Sequence, residues 1–205
     1  LAIDEALMAE IAPALSDATA LLVEAGPAEE RALKSAMARD PALAFITDGP
    51  TLPERLPEAD WQRLREAAQA RGMPGPVAAK MRPWMVTVTL ALSPCATREA
   101  MAGAEGLDRQ VMDLAAAKGL PIVALEPYDT AFRIFDGLTP EQERDMILTA
   151  LSTEGHADDY TQTLADAYFQ RETRLIWEFA RADAEVNAGL SPAALTAQMA
   201  LVEDR

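Results

Sequence analysis

Two carboxylates stand directly after short apolar runs: Ala20-Leu-Leu-Val leads into Glu24, and Leu120-Pro-Ile-Val-Ala-Leu leads into Glu126. The second run follows Lys118-Gly119, a helix-stop signal, and its length and apolar character suit a strand buried on both faces. Helical patterns before and after each run predict an α/β arrangement with parallel strands. In such sheets ligands gather beyond the carboxyl ends of the strands, where loops and helix N-termini converge. Glu24 and Glu126 both fall at that end. There they can ligate a metal, act as a general base or hold a cation. The same pattern also fits a residue at the point where a strand leaves the core, or an ion pair that holds a loop.

Other reactive groups are sparse. His156 and Cys95 are the single histidine and the single cysteine of the chain. They lie in separate helical surroundings, which gives a nucleophilic triad little support, and one cysteine cannot form an internal disulfide. His156 reads as a solvated loop residue and Cys95 as a small, partly buried thiol. No glycine-rich phosphate loop and no Gly-x-Ser-x-Gly elbow is present. Lys80-Met-Arg82-Pro-Trp84 joins two cations to an indole. It fits an anion site and equally an ion pair with a cation–π contact at a helix cap.

The elements that must position these groups follow from apolar spacing and stop signals. Helices are expected over 3–15 (stripe Ile3, Leu7, Ile11, Leu15), 28–39, from Pro57 to Gly72, from Leu107 to Lys118, over 140–151 and over about 158–187, with a last one from Ser191-Pro192. In the 158–187 region the expected buried stripe is Leu164, Ala167, Tyr168, Leu175, Phe179, Ala182 and Val186. Residues 76–92 carry the strand-like Val86-Thr-Val-Thr-Leu, but length and Pro83 favour a helix. Strands are expected at 19–25 and 120–126, and a short extended piece at 44–47 inside the proline-rich loop 42–60. Thr139-Pro-Glu-Gln142 carries the marks of a capping box.

The chain has 205 residues, half of them apolar, enough for one domain with a sizeable core. With 33 acidic and 18 basic residues its net charge is −15, which opposes binding to nucleic acid or to an anionic membrane. The longest apolar stretch, Trp84 to Leu92, falls well short of the ~20 residues a spanning helix needs. The first residues already read as part of a helix with no initiator methionine before them, so the expectation is the central part of a longer polypeptide.

The order of the pieces is more specific than any one of them. Ala20-Leu-Leu-Val-Glu24, Lys80-Met-Arg-Pro-Trp84, Gly106-Leu-Asp108, Gly119-Leu-Pro-Ile-Val-Ala-Leu-Glu126 and Phe135-Asp-Gly-Leu138, taken in succession, resemble the TraB/GumN family over nearly the whole chain. That family is similar to the Tiki proteins, which are membrane-anchored metal-dependent proteases. The resemblance implies an α/β fold with a mainly parallel sheet core and a large helical insertion, helix-rich overall. It makes residues 1–205 a single TraB/GumN-like domain of a bacterial protein, incomplete at both ends.

The resemblance further implies a metal-dependent hydrolase acting on peptide or protein substrates, with a divalent metal ion in the full-length protein. Glu24 is then a metal ligand or the group that polarises the attacking water. Glu24, Glu126 and Arg82 are the candidate catalytic residues, with Asp108 in a supporting place. The family's two Gly-x-x-His motifs are absent from these residues, since no histidine here follows a glycine by three, and they are expected outside the chain. The rival expectation is a non-catalytic module of the cell envelope, in which the helices from 139 onward shape a groove for a peptide or protein. Met81, Met85, Met101, Met112, Met146 and Met199 are candidates to line an adaptable surface there, or to fill the core. A periplasmic or secreted location is expected over a cytoplasmic one.

Overall fold

The computed structural model describes residues 5–187. In chain order the elements are α1 (Glu5–Ile11, continued by a 3-10 turn Ala12–Leu15), β1 (Leu21–Val23), α2 (Pro27–Arg39), α3 (Leu52–Arg55), α4 (Glu58–Ala70), α5 (Gly75–Ala78), α6 (Pro83–Ala91), α7 (Pro94–Met101), α8 (Leu107–Ala117), β2 (Ile122–Ala124), α9 (Thr130–Asp136), α10 (Pro140–Ser152), α11 (Ala157–Phe169) and α12 (Thr173–Asn187). The fold is helix-rich, with a small two-stranded parallel sheet. It divides into two compact units, the first drawn from Leu1–Leu43 and Arg98–Gly137, the second from Ala44–Thr97 and Leu138–Arg205.

In the first unit β1 and β2 pair in parallel, with Leu21 opposite Ile122, Leu22 opposite Val123 and Val23 opposite Ala124. Each strand is held by the chain's own punctuation. After β1, Gly26 is buried, and a β-carbon there would come within 3.2 Å of the Glu29 carboxylate. That carboxylate accepts the Gly26 N–H at 3.1 Å, with Pro27 at the first helical position, so α2 opens with a one-sided cap in which Glu29 reaches back and the glycine has no side chain to reciprocate. Before β2, Gly119 takes a left-handed φ of 72°, and the Leu120 N–H returns to the carbonyl of Ala115 at 3.0 Å, closing α8. The expectation of strands buried on both faces is corrected: Leu22 is 59 % exposed and Val123 45 %, while Leu21, Val23, Ile122 and Ala124 are half-buried. Register fixes the reason. Leu22 and Val123 share one face of the pair, and α8 packs with β2 to leave the alternate residues better covered.

The second unit holds the larger core, where Leu64, Leu52, Ile147 and Leu151 are essentially inaccessible and Trp61, Met81, Val86 and Leu90 surround them. Helix α6 decides its architecture by packing along α10. Its sequence has two threonines and several β-branched positions, which favour a strand. In the structure the Thr87 hydroxyl donates to the carbonyl of Pro83 at 3.1 Å and the Thr89 hydroxyl to that of Met85 at 2.8 Å, so both polar groups are satisfied inside the helix. Burial of Trp84, Val86 and Leu90 then outweighs the weak strand propensity. The extended piece at 44–47 appears as an antiparallel bridge between Phe45 and Met81. The 42–60 loop also contains a full turn, α3, whose Leu52 and following Leu56 enter the core.

The expected helix over 158–187 is two helices. Arg171 adopts a left-handed φ of 61°, and the Glu172 N–H bonds back to Ala167 at 2.8 Å, a C-terminal closure of the kind glycine usually supplies. Its expected buried stripe holds in part. Ala167 is buried and Leu164 and Phe179 half-buried, with Tyr160 against Phe179 at a ring separation of 4.8 Å, and Ala165, outside the expected stripe, is buried too. Tyr168, Leu175 and Ala182 are exposed. Residues from 188 onward, including Ser191-Pro192 and Met199, and Ile3 at the other end, lie outside the described residues. Among the methionines, Met81 and Met112 are buried, Met85 and Met146 half-buried, and Met101 is exposed.

Candidate functional site

Parallel pairing brings the two carboxylate-bearing positions together. The ladder continues past the strands: the Leu125 N–H donates to the carbonyl of Val23 at 2.8 Å, and the Glu126 N–H donates to the carbonyl of Glu24 at 3.1 Å. Glu24 and Glu126 are therefore joined through their backbones at the carboxyl end of the sheet, both exposed and both in bends rather than regular strand. The register alone sets Glu24 beside Leu125, one residue short of Glu126, so it is the bend that admits both glutamates to one rim. Asp108 belongs to the same unit. It is exposed in the first turn of α8, behind the N-cap Gly106, where its negative charge complements the helix dipole.

Arg82 belongs to the other unit. It is the N-cap residue of α6, half-buried, with its backbone N–H on the carbonyl of Ala44 at 2.8 Å and its own carbonyl accepting from Met85 and Val86. Its neighbour Trp84 is buried while Lys80 is exposed. Cys95 is exposed, against the expectation of a partly buried thiol, and its backbone N–H donates to the Asp158 carboxylate at 3.0 Å. His156 is exposed at the end of a 3-10 turn, as its loop setting implied.

Among the described residues no three histidine, cysteine, aspartate or glutamate side chains converge on a point that could hold a metal ion. Two carboxylates are a hard, oxygen-only donor set and fall short of the coordination that a catalytic divalent metal needs. The described side chains alone therefore do not fit a metal centre.

Two features of the second unit carry more polar chemistry than the sequence announced. The Arg71 side chain is fully buried, and all of its N–H groups are placed. Nε donates to the carbonyl of Leu92 at 2.7 Å. Nη1 donates to Ala67 at 2.9 Å and to Glu154 Oε1 at 2.7 Å, and Nη2 to Leu90 at 3.3 Å and to Glu154 Oε2 at 2.9 Å. The carboxyl ends of α4 and α6 thus converge on one guanidinium, which offsets their partial negative charge. Arg71-Gly72 at a helix end was the available signal, and Gly72 does take a left-handed φ of 78°. The second feature is a cavity of about 630 Å³, lined by Ile46, Asp48, Pro50, Leu52, Arg55, Leu56, Pro83, Pro140, Glu141, Arg144 and Ile147. Arg55 there is already engaged by Glu143.

Comparison with known proteins gives one positive result. No curated protein and no solved structure matches the chain. The model of the TraB/PrgY/gumN family matches residues 3–205, the span over which the ordered motifs around Glu24, Asp108 and Glu126 occur. The chain belongs to the TraB/PrgY/gumN family.

Proposed function

We propose that this chain supplies the carboxylate-bearing part of a hydrolase that acts on peptide or protein substrates. A divalent metal ion would be held chiefly by groups other than the described side chains. Glu24 is the group directed at water, as base or as one metal ligand, and Glu126 is its neighbour at the same rim. Arg82 has a capping position in the other unit. The observation that carries the reading is the hydrogen bond from Glu126 N–H to the Glu24 carbonyl, which sets both carboxylate residues at the ligand-collecting end of parallel strands. A location in the cell envelope belongs to the same proposal; no helix of the described residues is long and apolar enough to cross a membrane. The test is peptidase activity and bound metal in the intact protein, with and without Glu24→Gln. Loss of a group that activates water lowers kcat/KM by about 100-fold or more. Activity and metal content both unchanged remove Glu24 from the mechanism.

A second reading, a peptide-binding module, is favoured by one observation: the cavity of the second unit, with Pro140, Glu141, Arg144 and Ile147 of α10 in its wall. Here the chain presents a ready-made groove, and the rim glutamates are structural. Saturable peptide binding without turnover in the intact protein is the expected result for this reading.

A further inference from the structure

We propose that the edge of the Phe45 segment, together with the cavity beside it, takes an extended peptide by strand addition, with an apolar side chain in the cavity and a basic one at its rim. This rests on the peptide-binding reading above and specifies its ligand. In the antiparallel bridge of Phe45 with Met81, the Ile46 N–H donates to Lys80 at 2.7 Å and the Arg82 N–H donates to Ala44 at 2.8 Å. That pattern makes Phe45 and Met81 a non-hydrogen-bonded pair, so the N–H and C=O of Phe45 point away from Met81. Among the described residues neither Phe45 nor Thr47 has a backbone hydrogen bond. Both are exposed. A short edge with free donors and acceptors is the element that strand-adding recognition uses.

The side chains on one face of this edge, Ile46 and Asp48, both line the cavity, so alternate side chains of an added strand fall over it. Its interior is apolar, from Ile46, Leu52, Leu56 and Ile147. Of its charged residues, Arg55 is neutralised by Glu143, and Arg144 lies 3.8 Å from Asp145. The side chains of Asp48 and Glu141 have no ion pair or hydrogen bond among the described residues, and both residues are exposed. Asp48 and Glu141 thus put two carboxylates without a side-chain partner at the rim, and the chain as a whole is acidic. Complementarity selects a peptide with an apolar residue and, two positions on, a lysine or arginine.

The test is fluorescence anisotropy of a labelled hexapeptide with leucine at its second position, lysine at its fourth and threonine elsewhere, added to the intact protein. Saturable binding is expected, with preference for lysine over norleucine at the fourth position by about threefold at low salt. The preference should vanish in Asp48→Asn/Glu141→Gln. N-methyl groups placed along the peptide should weaken binding by about tenfold at alternate positions and little at those between. An N-methyl scan without alternation overturns strand addition but leaves the peptide-binding reading standing. A lysine preference that persists in the double variant overturns the assignment of the rim. Absence of saturable binding overturns both.

Discussion

Removing Glu154 should cost the second unit far more than removing any other single acidic residue on its surface, because it leaves Arg71 charged and buried. The Arg71 side chain is 0 % exposed, and its donors divide between three helix-end carbonyls and both oxygens of Glu154. Breaking a fully buried pair from one side costs about 3–5 kcal/mol, since the remaining charge keeps its desolvation penalty. Glu154 itself is 22 % exposed. Water can enter the space it vacates, which brings the cost to the bottom of that range or just below it, about 2–3 kcal/mol for Glu154→Ala. In Arg71→Met/Glu154→Ala the charge is gone as well as its partner, and the double variant should be less destabilised than the two single losses added together, by about 1–2 kcal/mol. The assay is urea unfolding followed by tryptophan fluorescence. All three tryptophans of the chain lie in the second unit, and Trp61 and Trp84 are buried in it. A Glu154→Ala loss below about 0.5 kcal/mol, or strict additivity in the cycle, would refute the claim that this pair is held in a low-dielectric setting.

Two further outcomes rest on helix starts. Thr139→Ala removes the hydroxyl that accepts the Gln142 N–H at 3.2 Å, and should lower stability by about 1 kcal/mol by the same urea measurement, with Thr139→Ser restoring most of it. At α3 the Glu54 carboxylate accepts the Thr51 backbone N–H at 2.8 Å and its hydroxyl at 2.7 Å, and the backbone bond, followed by the hydroxyl bond, pulls its pKa below the usual 4.5. A carboxyl depressed in the folded state contributes stability above its unfolded value, and this is lost as pH falls through the folded one. Carboxyl NMR should therefore find Glu54 titrating below 4.5, and Thr51→Val should return it part of the way towards that value.

Much of the local structure was legible because it is fixed by neighbours in the sequence. Gly26-Pro27, Lys118-Gly119 and Thr139-Pro140 each act within a few residues of themselves, and each starts or ends an element where expected. The helix over Pro83–Ala91 was legible from its proline and length, although its strand-like threonines pointed the other way. What sequence spacing could not yield was exposure. Leu22 and Leu125 look like core residues in a linear run, yet they are 59 % and 63 % exposed, because coverage depends on what packs on each face of the strand pair. Arg171 marks the opposite failure: a break where no glycine, proline or asparagine stands.

The same distinction between local and distant causes explains how differently the two polar sites were legible. Glu24 and Glu126 are separated by about a hundred positions, but each is tied to its own strand end; parallel pairing brings the two ends together, and the bend after each strand admits both glutamates to one rim. Arg71 has no comparable local cause. It sits one residue beyond α4, and its partners at Leu92 and Glu154 lie 21 and 83 positions away. A charged residue next to a glycine at a helix end ordinarily faces water. Here it is buried because another helix ends on the same point and a 3-10 turn delivers a carboxylate to it, and those conditions exist only after folding. A cation can thus be read from sequence as present but not as enclosed, whereas a carboxylate at the end of a parallel strand can be placed at a rim before any tertiary contact is known.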